Sequence, residues 1–265
     1  MCIRDRADSL NSALLLPGAA PGSEAFNLLV REVVREMTVK SGQKCTAIRR
    51  ILVPAEVYDA AAEAIGAKLK GVAVGNPRNE NVRMGSLVSR AQFDAVNAGL
   101  ETLSAHTSML YDGRDTPLVD ADPAVAACIG PVLMGARDAD AAQHVHDVEV
   151  FGPAATLLPY RDLAHGIALA HRGQGSLVTS LYGSDDAALA QAALAVAPSH
   201  GRVHVVTPEV AQAHTGHGNV MPMSLHGGPG RAGGGAELGG LRALDFYHRR
   251  TAVQASPGVL AQLGL

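Results

Sequence analysis

The sequence predicts an α/β fold in which an open, largely parallel sheet carries helices on both faces. Short apolar runs alternate with amphipathic segments along most of the chain, which is typical of strand and helix in alternation. The apolar fraction is 47% while the aromatic fraction is only 3%, a composition that suits closely packed layers of helix and sheet. The length of 265 residues and the lack of an obvious linker or internal repeat predict one domain over residues 7–265. Residues 1–6 are charged and patternless, and we expect a disordered or non-native tail there.

The first elements are predicted from loop markers, a cap and hydrophobic spacing. Residues 7–16 resemble the approach to a strand, and two Pro-Gly pairs then mark a loop. Ser23 is a plausible N-cap for a helix over 24–39, whose apolar residues recur at helical spacing. The β-branched run 48–53 predicts the next strand.

The same signals predict the rest of the chain. Further helices are expected over residues 57–70, 89–105, 162–171, 185–196 and 240–247. Further strands are expected over residues 108–111, 124–134, 154–159, 177–182, 202–206 and 251–254. The run 124–134 is apolar on both faces, so it predicts a buried strand with Cys128 in the core. Residues 214–240 are glycine-rich and irregular, and loops of that length are usually functional or disordered.

Composition and charge exclude several classes of protein. The net charge is −3 with both signs spread evenly, so no basic face for nucleic acid is expected. No apolar run reaches the length of a membrane span and no signal peptide is evident. Three separated cysteines argue for a reducing compartment, and the histidine pairs at 144/146 and 214/217 lack further ligands at metal spacing. We therefore expect a cytoplasmic protein without a metal site.

Cys45 is the first candidate for chemistry because it lies at the junction of a predicted helix and strand. Gly42 frees the backbone for a tight turn before it. If Cys45 opens a helical turn, the free N–H groups there favour the thiolate, and Lys44 adds positive charge nearby. A reactive thiolate is a nucleophile. On this spacing alone the alternative stays open that Cys45 is an inert buried cysteine.

Two motifs resemble a known family. Residues 42–47 read Gly-Gln-Lys-Cys-Thr-Ala and are followed by an arginine, which resembles the nucleophile motif of aldehyde dehydrogenases. Residues 149–153 read Glu-Val-Phe-Gly-Pro and follow at about the family's spacing, roughly a hundred residues later. A glycine-rich stretch over 226–235 matches a third, more degenerate family feature.

The resemblance implies roles for four residues. Cys45 is then the catalytic nucleophile, while Glu149 holds the nicotinamide ribose hydroxyls and Phe151 lines the nicotinamide ring. Gln92 is a weaker match to a residue that also reaches the ribose. The implied cofactor is NADP or NAD. Without the resemblance, a Gly-Pro turn, a core phenylalanine and a surface glutamine need no function.

Four segments resemble one branch of the family, the dehydrogenase half of the bifunctional phenylacetate-degradation proteins that open the oxepin-CoA ring. The resemblance implies a CoA-linked semialdehyde as substrate, NADP as acceptor and a hydratase-like domain after the dehydrogenase. It also implies a homo-oligomer in which the terminal strand extends a partner's sheet. These segments are residues 37–40, 214–218, 226–240 and 250–254.

Parts of the implied machinery are missing. The family places a glutamate base directly before a segment like residues 7–11, but Arg6 stands there, and arginine is not a base at neutral pH. The side-chain amide for the oxyanion and the main dinucleotide-binding half belong to an upstream segment. We therefore expect a C-terminal piece of a longer protein that is inactive alone. Two alternatives stay open: a non-catalytic assembly module or pseudoenzyme, and a CoA-acylating dehydrogenase, which needs no glutamate base.

Overall fold

The computed structural model describes residues 8–214, 216–217, 227–233 and 248–264. Its centre is an eight-stranded sheet with the strand order β3-β4-β5-β2-β1-β6-β7-β8. Every neighbouring pair is parallel except β3 and β4, which are antiparallel. The strands are β1 Ser12–Leu15, β2 Arg50–Pro54, β3 Ser108–Asp112, β4 Val132–Gly135, β5 Ala154–Tyr160, β6 Ser176–Tyr182, β7 His200–Val206 and β8 Ala252–Gln254.

Helices connect most of the strands, and side-chain caps mark the start of several of them. The Ser23 hydroxyl accepts a hydrogen bond from the Phe26 amide at the start of the first helix, as predicted. Asp185 caps a later helix in the same way through the amides of Ala187 and Ala188. The α-helices of the described residues are α1 Glu24–Thr38, α2 Tyr58–Lys70, α3 Arg90–Ser104, α4 Leu163–His171, α5 Asp186–Val196, α6 Pro208–Ala211 and α7 Pro257–Gln262.

The hydrophobic core forms two layers, one on each face of the sheet. Alternate residues of a strand point to opposite faces, so Leu14 of β1 packs in one layer while Ala13 and Leu15 pack in the other. Helices α3, α4, α5 and α7 cover the first layer, and α1 and α2 cover the second. The predicted α/β class with helices on both faces is confirmed. None of the described helices is long and apolar enough to cross a membrane.

One strand prediction is wrong over most of its length. Residues 124–131 form turns and irregular backbone, and β4 begins only at Val132. Alanines gave this stretch its apolar character without the branched side chains that favour a strand, and Pro131 lacks an amide donor. Cys128 consequently lies outside the sheet and is only partly buried.

The chain's last strand pairs within the chain itself. β8 lies parallel to β7, with Val253 opposite Val203. Its predicted role in extending a partner's sheet stays a prediction. The predicted helix over 240–247 lies outside the described residues.

Candidate functional site

The candidate site is a cavity of about 260 Å³ at the amino-terminal ends of the central parallel strands. Cys45 lies just before β2 and Glu149 just before β5, while Ser9 precedes β1. These three residues line the cavity together with Phe151 and Gly233. The structure therefore brings the predicted nucleophile together with two of the three predicted cofactor residues, Glu149 and Phe151, although these lie about a hundred positions further along the chain.

The Cys45 loop, residues 40–47, has an unusual backbone. Lys40 and Ser41 have φ of 54° and Gly42 has φ of 68°, so three consecutive residues are left-handed. Position 42 requires glycine for lack of space as well as for its positive φ. A Cβ there would lie 2.1 Å from the carbonyl oxygen of Gly152. The Ser41 hydroxyl donates to the carbonyl of Gly85 at 2.9 Å, which holds the turn in place.

The Cys45 thiol is exposed at the end of this loop. No helix begins at Cys45. A single turn is closed instead by a hydrogen bond from the Ala47 amide to the Lys44 carbonyl at 3.0 Å. The thiol is thus presented by a short, externally held turn, and the condition for a helix-dipole effect is not met.

Lys44 does not direct its charge at the thiol as the sequence suggested. Its ammonium group donates to both carboxylate oxygens of Glu36 at 2.7 Å. Glu36 is fully buried on α1, and burial raises the pKa of its carboxyl even though Lys44 opposes the shift. The charge of Lys44 is therefore paired with the buried carboxylate of Glu36.

Arg49 joins the Cys45 loop to residues 149–153, which we call the Glu149 loop. Its guanidinium donates to the carbonyls of Gly42 at 2.8 Å and Lys44 at 3.3 Å, both in the Cys45 loop. It also donates to the carbonyl of Gly152 at 2.8 Å and to the Glu149 carboxylate at 3.3 Å. Arg49 is 5% exposed, and burial lowers its pKa while Glu149 opposes that shift.

Glu149 and Phe151 line the cavity beside Cys45, whereas Gln92 is not among the residues that line it. Glu149 accepts from the Ser9 amide at 3.1 Å as well as from Arg49, and burial raises the pKa of its carboxyl. Phe151 is 36% exposed, and the Arg49 guanidinium carbon lies 5.4 Å from the centroid of its ring. The Gln92 amide donates to the Phe151 carbonyl at 2.8 Å. The cofactor roles of these residues stay predictions.

Asn11, directly before β1, holds the Cys45 loop through hydrogen bonds, and the sequence analysis did not identify it. Its side-chain amide donates to the carbonyls of Cys45 at 2.8 Å and Ala47 at 3.0 Å. The Ser9 hydroxyl in turn donates to the Asn11 side-chain oxygen at 2.6 Å. An asparagine next to an apolar strand was the available signal, since such a buried amide needs partners.

A second support comes from the other side of the turn. The His217 ring hydrogen-bonds to the Thr46 carbonyl, and the Arg202 guanidinium donates to the His217 carbonyl. Burial lowers the pKa of His217 to about 3, so the ring is neutral at pH 7. Among the described residues, no group of three His, Cys, Asp or Glu side chains is placed to hold a metal ion.

The described part of the glycine-rich segment forms part of the cavity lining. Gly227 and Gly233 line it, and Arg231 between them pairs with the Asp8 carboxylate. Arg231 also donates to the carbonyl of Asp147, two residues before Glu149, at 2.8 Å. The segment thereby touches both walls of the site. Arg6 lies outside the described residues.

Comparison with known proteins gives consistent results. The model of the aldehyde dehydrogenase family matches residues 23–253. The chain is 54% identical over 228 residues to 3,4-dehydroadipyl-CoA semialdehyde dehydrogenase of Aromatoleum evansii, covering 86% of this chain and 44% of that protein. It is 40% identical over 181 residues to the protein MaoC of Klebsiella aerogenes, covering 68% of this chain and 53% of that protein. The chain thus spans about half the length of the curated relatives it matches.

Solved structures share the fold. Betaine aldehyde dehydrogenase from Staphylococcus aureus, in complex with NAD+, matches 90% of this chain and 44% of its own with a TM-score of 0.72 at 20% identity. Aldehyde dehydrogenase C from Pseudomonas syringae, in complex with NAD+ and octanal, matches 86% of this chain and 42% of its own with a TM-score of 0.69 at 21% identity.

Proposed function

The chain belongs to the aldehyde dehydrogenase family, and from that premise we propose that Cys45 is the nucleophile of an NAD(P)-dependent oxidation of an aldehyde to an acid. The observation that carries the proposal is the shared cavity, in which the exposed Cys45 thiol faces the same space as Glu149 and Phe151. These side chains suit a nicotinamide riboside: the carboxylate can accept hydrogen bonds from the ribose hydroxyls, the aromatic ring can pack against the nicotinamide, and the thiol lies beside both. Inert core cysteines lack such surroundings.

In the proposed reaction the Cys45 sulfur attacks the aldehyde carbon, and the carbonyl electron pair moves onto oxygen. The Cys45 amide is the backbone donor for this oxyanion. Loss of a hydride from the same carbon leaves a thioester on Cys45. Water then cleaves the thioester to release the acid and the free thiol.

Glu149 and Phe151 are the residues that would hold the cofactor. The Glu149 carboxylate is suited to accept hydrogen bonds from ribose hydroxyls, as carboxylates do in dinucleotide sites. The exposed Phe151 ring offers an apolar surface to the nicotinamide. When bound, the nicotinamide supplies the hydride acceptor.

We propose a CoA-linked semialdehyde of aromatic ring degradation as the substrate. The similarity to the Aromatoleum semialdehyde dehydrogenase, at 54% identity, supports that class. The semialdehyde dehydrogenase activity in that name belongs to the whole Aromatoleum protein, of which this chain covers 44%. We further propose that this chain alone does not turn over, because the position of the family's base is occupied by Arg6.

Acylation by an activated ester tests the nucleophile without requiring the cofactor. Cys45 attacks the carbonyl of 4-nitrophenyl acetate, the ester C–O bond breaks, 4-nitrophenolate leaves and a thioester remains on Cys45. Peptide mass spectrometry should find one acetyl group on Cys45 and slow release of acetate. The Cys45→Ala variant should give no burst of 4-nitrophenolate. Equal labelling of Cys128, or an equal burst from Cys45→Ala, would sink the proposed role.

Turnover is tested separately with a semialdehyde and NADP or NAD. Reduction of the cofactor by this chain well above the Cys45→Ala background would overturn the proposed inactivity. In a longer relative that carries the upstream half, adding CoA distinguishes hydrolysis from acyl transfer, since the product is then either the free acid or a thioester.

A further inference from the structure

We propose that Arg49 is a positioning residue that fixes the Cys45 loop against the Glu149 loop, so that the thiol and the carboxylate face one cavity. The cofactor side of this idea rests on the proposed function. The positioning itself does not, because it concerns how two loops of this chain are held. Among the described residues, Arg49 is the side chain that donates to backbone carbonyls of both loops.

The geometry requires a guanidinium at this position. Its three nitrogens each have a different set of partners: one donates to the carbonyls of the Cys45 loop, the second to the Gly152 carbonyl and the third to the Glu149 carboxylate. A guanidinium offers five N–H donors in a rigid plane, whereas an ammonium is a single point with three donors. Lysine would keep the charge and lose contact with at least one loop. The requirement is therefore for shape in addition to charge.

Arg50, the next residue, provides an internal comparison. The side chains of adjacent residues in extended backbone point to opposite faces, and Arg50 turns away from the site. It donates to the carbonyls of Leu10, Leu169 and Ala170, and the last two lie in the last turn of helix α4. Both arginines are buried, yet Arg49 acts on the loops of the site and Arg50 on the layer behind them.

The experiment compares Arg49→Lys and Arg49→Met with Arg50→Lys by hydrogen exchange. The amides of Ala47 and Gly152 report on the two loops, because each closes a turn inside its loop. Both Arg49 variants should exchange these amides at least about tenfold faster, since hydrogen bonds from a charged donor are lost. Arg50→Lys should leave both amides unchanged and instead accelerate the amide of Gly173, which bonds to a carbonyl next to Arg50.

Alkylation provides a readout that a merely structural role would not move. The Arg49 guanidinium donates to the carbonyl of Lys44, the residue directly before Cys45, so its positive charge should favour the anionic reagent iodoacetate over neutral iodoacetamide at Cys45. In Arg49→Met the ratio of the two rates at Cys45 should fall at least about threefold, which is a reasonable effect for one nearby charge. In Arg49→Lys the ratio should stay within about twofold of wild type while the loops still exchange quickly.

Three results would overturn the proposal: unchanged exchange of the loop amides in Arg49→Lys, the same acceleration in Arg50→Lys, or an unchanged alkylation ratio in Arg49→Met. If Arg49→Met fails to fold, the exchange pattern of Arg49→Lys still decides the question. None of these measurements needs turnover or cofactor, so a failure of the proposed function would show itself separately in the acylation assay.

Discussion

Replacing Gly42 by alanine is expected to force apart the two loops that carry Cys45 and Phe151. The new Cβ would lie 2.1 Å from the Gly152 carbonyl oxygen, so the backbones must separate by about 1 Å to reach even the tightest contact that folded proteins tolerate. Gly42 also has φ of 68°, which costs alanine about 1 kcal/mol. Separation further breaks the hydrogen bond from Arg49 to Gly152, a charged contact worth about 1.5–3 kcal/mol.

We therefore expect Gly42→Ala to lower the free energy of unfolding by about 3 kcal/mol. Gly18→Ala is the matched control, because Gly18 has φ of 85° but nothing within 4 Å of its Cβ position. The control should cost only the backbone term of about 1 kcal/mol. Urea unfolding of wild type and both variants measures the difference. If the two substitutions destabilise the chain equally, the close approach of Gly42 to Gly152 is not significant and the reasoning fails.

Three further predictions concern buried or reactive groups. Arg50→Met should lower the free energy of unfolding by about 3 kcal/mol or more because several buried carbonyls lose their donor, and a loss below about 1 kcal/mol in urea unfolding would contradict this. Burial lowers the pKa of His204 and His217 from 6.5 to about 3, so the unfolded chain protonates first as the pH falls. Stability should then drop below pH 6.5 by up to about 1.4 kcal/mol per pH unit for each histidine, and His204→Gln should flatten the slope measured between pH 7 and 5. Burial raises the pKa of the Cys128 thiol, so iodoacetamide at pH 7 should modify the exposed Cys45 at least about tenfold faster, and preferential labelling of Cys128 would argue against a reactive Cys45.

The order of strands and helices was largely predictable because each element carries its own local signal. The cap at Ser23 and the apolar spacing behind it placed α1 within one residue of its observed end at Thr38. The run 124–134 shows the limit of this approach. Alanine is apolar but satisfies strand and loop equally well, so hydrophobicity alone could not show that β4 starts at Val132.

Several residues that line the site were predictable from the sequence, but the contacts that hold them in place were not. Motif resemblance named Cys45, Glu149 and Phe151, which the structure places around one cavity. It could not show that Lys44 faces the buried Glu36, since either direction is compatible with the sequence. The two left-handed residues before Gly42 were also hidden, because non-glycine residues rarely adopt that conformation and nothing in their identity announces it.

The shape of the Cys45 loop is imposed by its neighbours through its backbone carbonyls. Arg49 and Asn11 donate to carbonyls at four positions of the loop, while His217 bonds to a fifth. A loop held in this way tolerates changes in its own exposed side chains but responds to changes in residues that never touch the substrate. The reactivity of Cys45 should therefore follow the integrity of these contacts and not the global stability of the chain. Asn11→Asp tests this separation, because it keeps the size of the side chain but replaces an amide donor by an acceptor. Alkylation of Cys45 should change even where the urea midpoint moves little, and a rate that simply follows the midpoint across variants would contradict the idea.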